Sequence, residues 1–297
     1  MSARKARIAR AFSVGAARYD AVAPVQRLVA ARLAARVAAR GLAPRRILEI
    51  GCGTGMLSAA LAAVFPEARM LLTDVSPAML ARCRARLGER PEYHDYMVLD
   101  GEHPAAAGGG FDLIVSSLAM QWFGDLRGGL ARLAACLAPG GRMMFATLGE
   151  GNFAEWAAAH AALGLACGMP AYPALGALPW PEGRAHAGAE EFIRQPYASG
   201  AEFARSLKAL GAGEPAPGYR PLPPGAFRRV LESLQGGFEV TYHVLYGEIW
   251  WRRGSGGLQA RLMLERAQQG EGEREEPGAE NCEGTPEHEQ PVPGEGA

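Results

Sequence analysis

Seven residues, Glu49-Ile50-Gly51-Cys52-Gly53-Thr54-Gly55, put three glycines and one acid at the end of a short apolar run, Ile47–Ile50. Glycines there let the backbone turn tightly and approach a ligand closely. A helix starting just beyond offers free N–H groups and the positive end of its dipole. Two common nucleotide loops are excluded. Counting from Gly51, a Gly-x-Gly-x-x-Gly fingerprint needs glycine where Met56 stands, and no Gly-Lys-Ser/Thr completes a P-loop. Acids recur after the next two extended runs. Asp74 closes Arg69–Thr73, 19 residues after Gly55, and Asp100-Gly101-Glu102 closes Tyr93–Leu99. A carboxylate at the first of these positions can accept two ribose hydroxyls. Each feature alone is also an ordinary turn or cap. Their order and spacing point to a nucleoside-containing cofactor.

The elements that position these residues follow a strand–helix rhythm. Met56–Phe65 reads as a helix stopped by Pro66, and Ser76-Pro77 as the N-cap and first turn of another. Phe111–Ser117 reads as a strand, Asp125–Leu137 as a helix, and Arg142–Leu148 as a strand after the Pro139-Gly140-Gly141 turn. This rhythm predicts an α/β, Rossmann-like fold: a mostly parallel sheet with helices on both faces. Ligands in such sheets sit beyond the carboxyl ends of the strands, where Gly51–Gly55, Asp74, Asp100 and Ser116–Ser117 all fall. Upstream, Ala21–Arg40 spaces Val22, Val25, Leu28, Val29, Leu33 and Val37 as one helix, with Arg27, Arg32, Arg36 and Arg40 at other positions. Beyond Gly149 the pattern predicts helices at Asn152–Ala166, Ala201–Leu210 and Ala226–Gln235. It also predicts a Pro/Gly-rich loop at Gly168–Gly188, an edge strand at Glu191–Pro196 and a half-buried strand at Phe238–Tyr246. The expected organisation is an N-terminal helical cap (1–45), a catalytic domain (46–253) with a helical insertion at about 150–235, and a disordered acidic tail (254–297). Nine Glu, six Gly and four Pro in Gly270–Ala297 support the last assignment. A Gly254–Gly257 hinge and a short helix at Leu258–Gln269 would precede it.

Composition narrows the function. No apolar run is long enough to span a membrane, and no secretory pattern follows the basic N-terminus. Five scattered cysteines without metal or redox spacing suit a reduced cytoplasmic protein. The six histidines show no metal-site spacing, and no Gly-x-Ser-x-Gly elbow is present. The charge counts, 31 basic and 31 acidic, conceal an asymmetry. Residues 265–297 hold ten Glu against two Arg, whereas the first 46 residues hold eleven basic residues against Asp20. Such a basic segment would speed encounter with an acidic partner.

Glu49-x-Gly-x-Gly-x-Gly with Asp74 resembles the first motifs of class I methyltransferases that use S-adenosylmethionine. Three further segments resemble the malonyl-acyl-carrier-protein O-methyltransferases of biotin synthesis. These are Phe12-x-x-x-Ala16-Ala17-x-Tyr19-Asp20-x-x-Ala23-x-x-Gln26, Ser76-Pro77-Ala78-Met79-Leu80, and Ser116-Ser117-Leu118-Ala119-Met120-Gln121-Trp122. The resemblance runs from about Phe12 to Trp251, dense to Glu155 and thinner beyond. It implies that Glu49, Gly51, Gly53 and Gly55 hold the methionine end and sugar of S-adenosyl-L-methionine. Asp74, with Val75, would bind the ribose, Met79 would pack on the adenine, and Asp100, Gly101 and Glu102 would read its edge. Ser117 and Leu118 would line the site, with Tyr19 and Gln26 on a cap above it. Family members usually have Asn where Ser117 stands. Tyr19 and Trp122 would wall the reacting sulfonium, and Gln121 would face substrate. Arg18, Arg205 and Lys208 are candidate cations for its carboxylate, and malonyl-acyl carrier protein or malonyl-coenzyme A would be the acceptor, with no metal, nucleic acid or membrane involved. Two other readings fit the same residues: methylation of another small carboxylic acid, and a cofactor-binding assembly factor without transfer.

Overall fold

Pro24 sets the first departure from the sequence reading. The computed structural model describes residues 2–251, and its first helix, α1, spans Ala3–Gly15. The single helix expected at Ala21–Arg40 is two: a one-turn α2 (Tyr19–Val22) and α3 (Pro24–Ala38). Ala23 between them has φ −116° and ψ 49°. A proline disfavours helical geometry in the residue before it yet suits the first position of a new helix.

The expected rhythm follows in order: β1 (Arg46–Ile50), α4 (Met56–Val64), β2 (Arg69–Asp74), α5 (Pro77–Leu87), β3 (His94–Val98), β4 (Phe111–Ser117), α6 (Leu126–Ala135), β5 (Leu137–Leu148) and α7 (Ala154–Ala162). Ser76 caps α5 by accepting from Met79 N–H, and Asp125 caps α6 by accepting from Gly128 N–H. The chain ends its described part with β6 (Arg184–Ser199), α8 (Gly200–Leu210), α9 (Pro224–Ser233) and β7 (Gln235–Trp251). Strand order is β3-β2-β1-β4-β5-β7-β6. The first five strands are parallel; β7 runs antiparallel to both β5 and β6. The order reverses between β1 and β4, which opens a crevice above their carboxyl ends.

The two-residue alternation of the strands divides the core. Ile47, Met70, Leu113 and Met144 face α3, α4 and α5, whereas Leu48, Ile114, Met143 and Phe145 face α6. Leu130 and Leu133 of α6 are fully buried, each worth about 1.5–3 kcal/mol by the area removed from water. The helices before β1 and the sheet belong to one compact unit.

Two late elements run longer than expected. The strand placed at Phe238–Tyr246 is the 17-residue β7. The edge strand placed at Glu191–Pro196 is the 16-residue β6, paired with β7 in one register from Arg184↔Trp251 to Tyr197↔Phe238, with a shift before Ser199↔Gln235. Its first half, Arg184-Ala-His-Ala-Gly-Ala, lacks the branched and aromatic residues that mark strands. Pairing with β7 imposes the conformation. The region about 150–235 therefore adds a strand to the sheet as well as helices. The tail at 254–297, with its hinge and short helix, lies outside the described residues.

Gly247 of β7 sits directly opposite Phe145 of β5, and a Cβ there would overlap the buried Phe145 ring. Gly247→Ala should destabilise the fold by about 1–3 kcal/mol through overpacking. Urea unfolding would measure this, and wild-type stability would contradict it.

Candidate functional site

The glycine loop turns because Gly51, Gly53 and Gly55 all have positive φ, at 67°, 55° and 84°. At Gly51 the constraint is also steric, since a Cβ would overlap that of Ala119 in the neighbouring loop. Asp74 then fastens the loop to the next strand. Gly53 N–H donates to Asp74 Oδ2 at 2.9 Å, and Ser76 N–H to Oδ1 at 2.8 Å. Burial pushes the Asp74 carboxyl up to about 6, against the pull of backbone N–H groups at Ser76, Gly53 and Val75. Thr54 Oγ1 donates to Asp20 at 2.6 Å, and Arg86 pairs with the same carboxylate, tying α2 to the loop.

The crevice has two lobes. The larger is lined by Tyr19, Gly51, Gly53, Asp74, Val75, Met79, Asp100, Gly101, Ser117, Leu118 and Trp122, and by residues of α1 and the β4–α6 loop. The smaller is lined by Gln26, Glu49 and Thr54, and shares Tyr19, Gly51, Gly53 and Ser117 with the first. Glu49 is 1% exposed and its Oε2 has no hydrogen-bond partner. Burial, with Cys83 and Asp74 nearby, holds this carboxyl well above its usual range, although Ser58 pulls the other way. An orphaned buried carboxylate oxygen calls for a cationic or N–H donor from a ligand.

Three aromatic rings stand over the crevice. Phe12 of α1 meets Trp122 edge-on with centroids 5.7 Å apart, and Tyr19 at 6.4 Å. Burial raises the Tyr19 phenol, and the carboxylates of Asp74 and Asp20 raise it further, so it stays neutral. Leu118 holds the left-handed conformation, φ 50°, at the end of β4. Gln121 Nε2 donates to the Leu118 carbonyl at 2.7 Å and so braces that strained turn.

Several residues assigned from the sequence lie outside the two lobes. Gln121 lines neither lobe; its Nε2 donates to the Leu118 carbonyl, and its Oε1 is buried without a hydrogen-bond partner. Gly55 lines neither lobe; it starts α4, packed against Cys83. Glu102 is turned inward, accepting from Gly124 and Asp125 N–H at 2.8 and 3.0 Å and pairing with Lys5 at 2.6 Å. Arg18, Arg205 and Lys208 are exposed and line neither lobe.

The sequence reading missed Lys5, Ile8, Ala119 and Phe123, all of which line the larger lobe. Lys5 also pairs with Asp100 and lies 5.5 Å from the centroid of the Phe123 ring. The signal was present: Lys5, Ile8 and Phe12 repeat at helical spacing and share one face of α1. The basic character of residues 1–10 masked it.

A methyltransferase-domain family matches residues 48–143. The malonyl-[acyl-carrier protein] O-methyltransferase of Magnetococcus marinus is 44% identical over 250 residues, covering 82% of this chain and 92% of that protein. The protein of the same name from Halorhodospira halophila is 34% identical and covers 86% and 89%. The biotin biosynthesis bifunctional protein BioCD of Bordetella avium is 45% identical over 84% of this chain, which spans about half of that longer protein. In fold alone, the chain resembles the YcgJ protein of Bacillus subtilis, with TM-score 0.51 at 14% identity, covering 74% of this chain and 99% of that one.

Lys5 neutralises two largely buried carboxylates, so Lys5→Met should cost about 2–4 kcal/mol at pH 7. Burial raises the Glu102 carboxyl, but Lys5 and the Gly124 and Asp125 N–H groups together hold it below its usual range. The stability tied to its charge is therefore full above the unfolded pKa, about 4.3, and lost as pH falls through the lower folded value. The difference between wild type and variant should shrink under acid. Urea unfolding across pH 3–7 would show this, and a constant gap would count against the clamp.

Proposed function

The chain belongs to the malonyl-[acyl-carrier protein] O-methyltransferase family, and from that premise we propose how its residues perform carboxyl methylation. The reaction is S-adenosylmethionine-dependent transfer of a methyl group to the free carboxylate of a malonyl thioester on acyl carrier protein. The methyl ester primes the pimeloyl part of biotin synthesis. The observation that carries the reading is the acceptor set of the crevice: an orphaned Glu49 oxygen, Asp74 at the loop, and Asp100 at the third strand. S-adenosylmethionine supplies an electrophilic methyl group on a sulfonium centre.

The protein's own residues then bind, orient and exclude water. Glu49 and Gln26 take the amino-acid end in the smaller lobe. Asp74 takes the ribose hydroxyls, while Met79, Asp100 and Gly101 surround the adenine. Tyr19, Phe12 and Trp122 form an aromatic wall whose ring faces attract a cation by roughly 0.5–2 kcal/mol. No base is needed. A malonyl carboxylate, with a pKa near about 4, is ionised at neutral pH. Tyr19, kept neutral by burial, adds no negative charge that would repel it. Orientation in a water-poor crevice supplies the catalysis.

Malonyl-coenzyme A shares the reacting group and is a second acceptor on this reading. Nucleic acid has no part in it. No described helix is long and apolar enough to cross a membrane, and the proposal places the reaction in the cytoplasm.

Purified protein should convert malonyl carrier protein to its methyl ester, and the gene should rescue biotin auxotrophy in cells lacking their own enzyme. Absence of turnover on every malonyl thioester would refute the reading. Asp74→Ala should weaken cofactor binding by about 2–3 kcal/mol through lost charge-assisted hydrogen bonds. The free Asp74 carboxyl titrates at about 6. Its ionised form is the better acceptor, so affinity should fall as pH drops through that value. Calorimetry from pH 5 to 8 should find a steeper slope in wild type than in Asp74→Ala, where Glu49 still titrates; a slope unchanged by the substitution would reject the assignment.

A further inference from the structure

Most of the positive charge in the first 46 residues is engaged inside the molecule. Lys5 pairs with Asp100 and Glu102, Arg7 with Glu214, Arg32 with Glu191, and Arg40 with Glu248. Arg27 donates to the Asp20 carbonyl, Arg36 stacks on Tyr246, and Arg46 donates to Gly109. Arg10 and Arg18 are different. Both are exposed, and neither side chain has an ion pair or hydrogen-bond partner among the described residues. Arg205 and Lys208 on α8 share that state.

Packing gathers these four cations. A Cβ on Gly15 of α1 would lie 2.7 Å from the Ala209 carbonyl, and one on Gly211 would lie 2.8 Å from the carbonyl of Ala11. The α1 and α8 backbones thus meet closely, with Arg10 and Lys208 each next to a contact residue. Arg205 stands about one turn before Lys208, and Arg18 follows Gly15 directly before α2, which also packs on α8. The acids near the group have other partners: Glu214 holds Arg7, Asp20 holds Thr54 and Arg86, and Glu202 at the start of α8 accepts from Ala198 N–H. The same N-terminal segment supplies Phe12 and Tyr19 to the crevice wall, so the cations border the reaction site without entering it.

We propose that Arg10, Arg18, Arg205 and Lys208 form a docking surface for an acidic face of the carrier protein that presents the malonyl thioester. The proposal rests on the carrier-protein reading above. It gives Arg18, Arg205 and Lys208 a role in holding the carrier and none in holding the carboxylate. Clustered, unpaired and exposed cations speed encounter and fix orientation with a complementary surface.

The test uses the full chain and two double charge reversals, Arg10→Glu with Arg18→Glu, and Arg205→Glu with Lys208→Glu. Binding to carrier protein is measured directly by interferometry at two salt concentrations. Methyl transfer is measured with malonyl carrier protein and with malonyl-pantetheine, which has no protein surface. Each double variant should weaken carrier binding about tenfold or more at low salt and flatten its salt dependence. The kcat/KM for malonyl carrier protein should fall in step, with malonyl-pantetheine turnover and cofactor affinity within about twofold of wild type. Carrier binding unchanged in both variants, or an equal loss on both substrates, would overturn the proposal. A wild-type protein that binds carrier through these cations yet methylates neither substrate would refute the activity and leave the docking surface standing.

Discussion

One carboxylate holds the binding crevice in shape. Asp74 accepts from Gly53 on the first loop and from Ser76 at the start of the next helix. It thereby fixes the ends of β1 and β2, beside the point where the sheet order reverses between β1 and β4. Three left-handed glycines make a loop that local preference alone does not order, so an outside tether is needed to select one conformation. The tether is buried, and its raised pKa records what that burial costs the charged form. Ser76 adds a second connection, its hydroxyl 2.7 Å from that of Ser13 on α1.

The roof depends on charge in the same way. Lys5 bridges the end of β3 to the β4–α6 loop through Asp100 and Glu102, and Glu102 also gathers two backbone N–H groups of that loop. Removing Glu102 would leave two N–H groups without an acceptor and Lys5 with Asp100 alone, so it shapes the wall from behind. Gln121 does comparable work behind Leu118. These side chains hold the lining in place without belonging to it.

Where a residue's role follows from local chain geometry, the sequence displayed it. Glycines after a strand, an acid after the next, and Ser-Pro at a helix start are local signals, and the structure puts those residues around one crevice. Where the role depends on distant partners, the sequence was silent. Lys5 looked like one charge in a basic tail because Asp100 and Glu102 lie some 95 residues away. Glu102 looked like a ligand because it shares a turn with Asp100. Arg32 of α3 and Arg40 just beyond it stand off the apolar stripe with no visible partner in the sequence, although they reach Glu191 on β6 and Glu248 on β7. The first half of β6 was illegible because its small residues take their conformation from β7.

Floor and roof are encoded apart. The matched domain, residues 48–143, contains the glycine loop, Asp74 and Asp100, whereas Lys5, Ile8, Phe12 and Tyr19 all precede it. A fragment cut at the domain boundary would keep the cradle and lose its cover. The cover is nonetheless fastened to the cradle, through Lys5 on Asp100, Asp20 on Thr54 and Ser13 on Ser76. A change in the first twenty residues therefore reaches cofactor and acceptor together, and the two tiers can drift only as a pair.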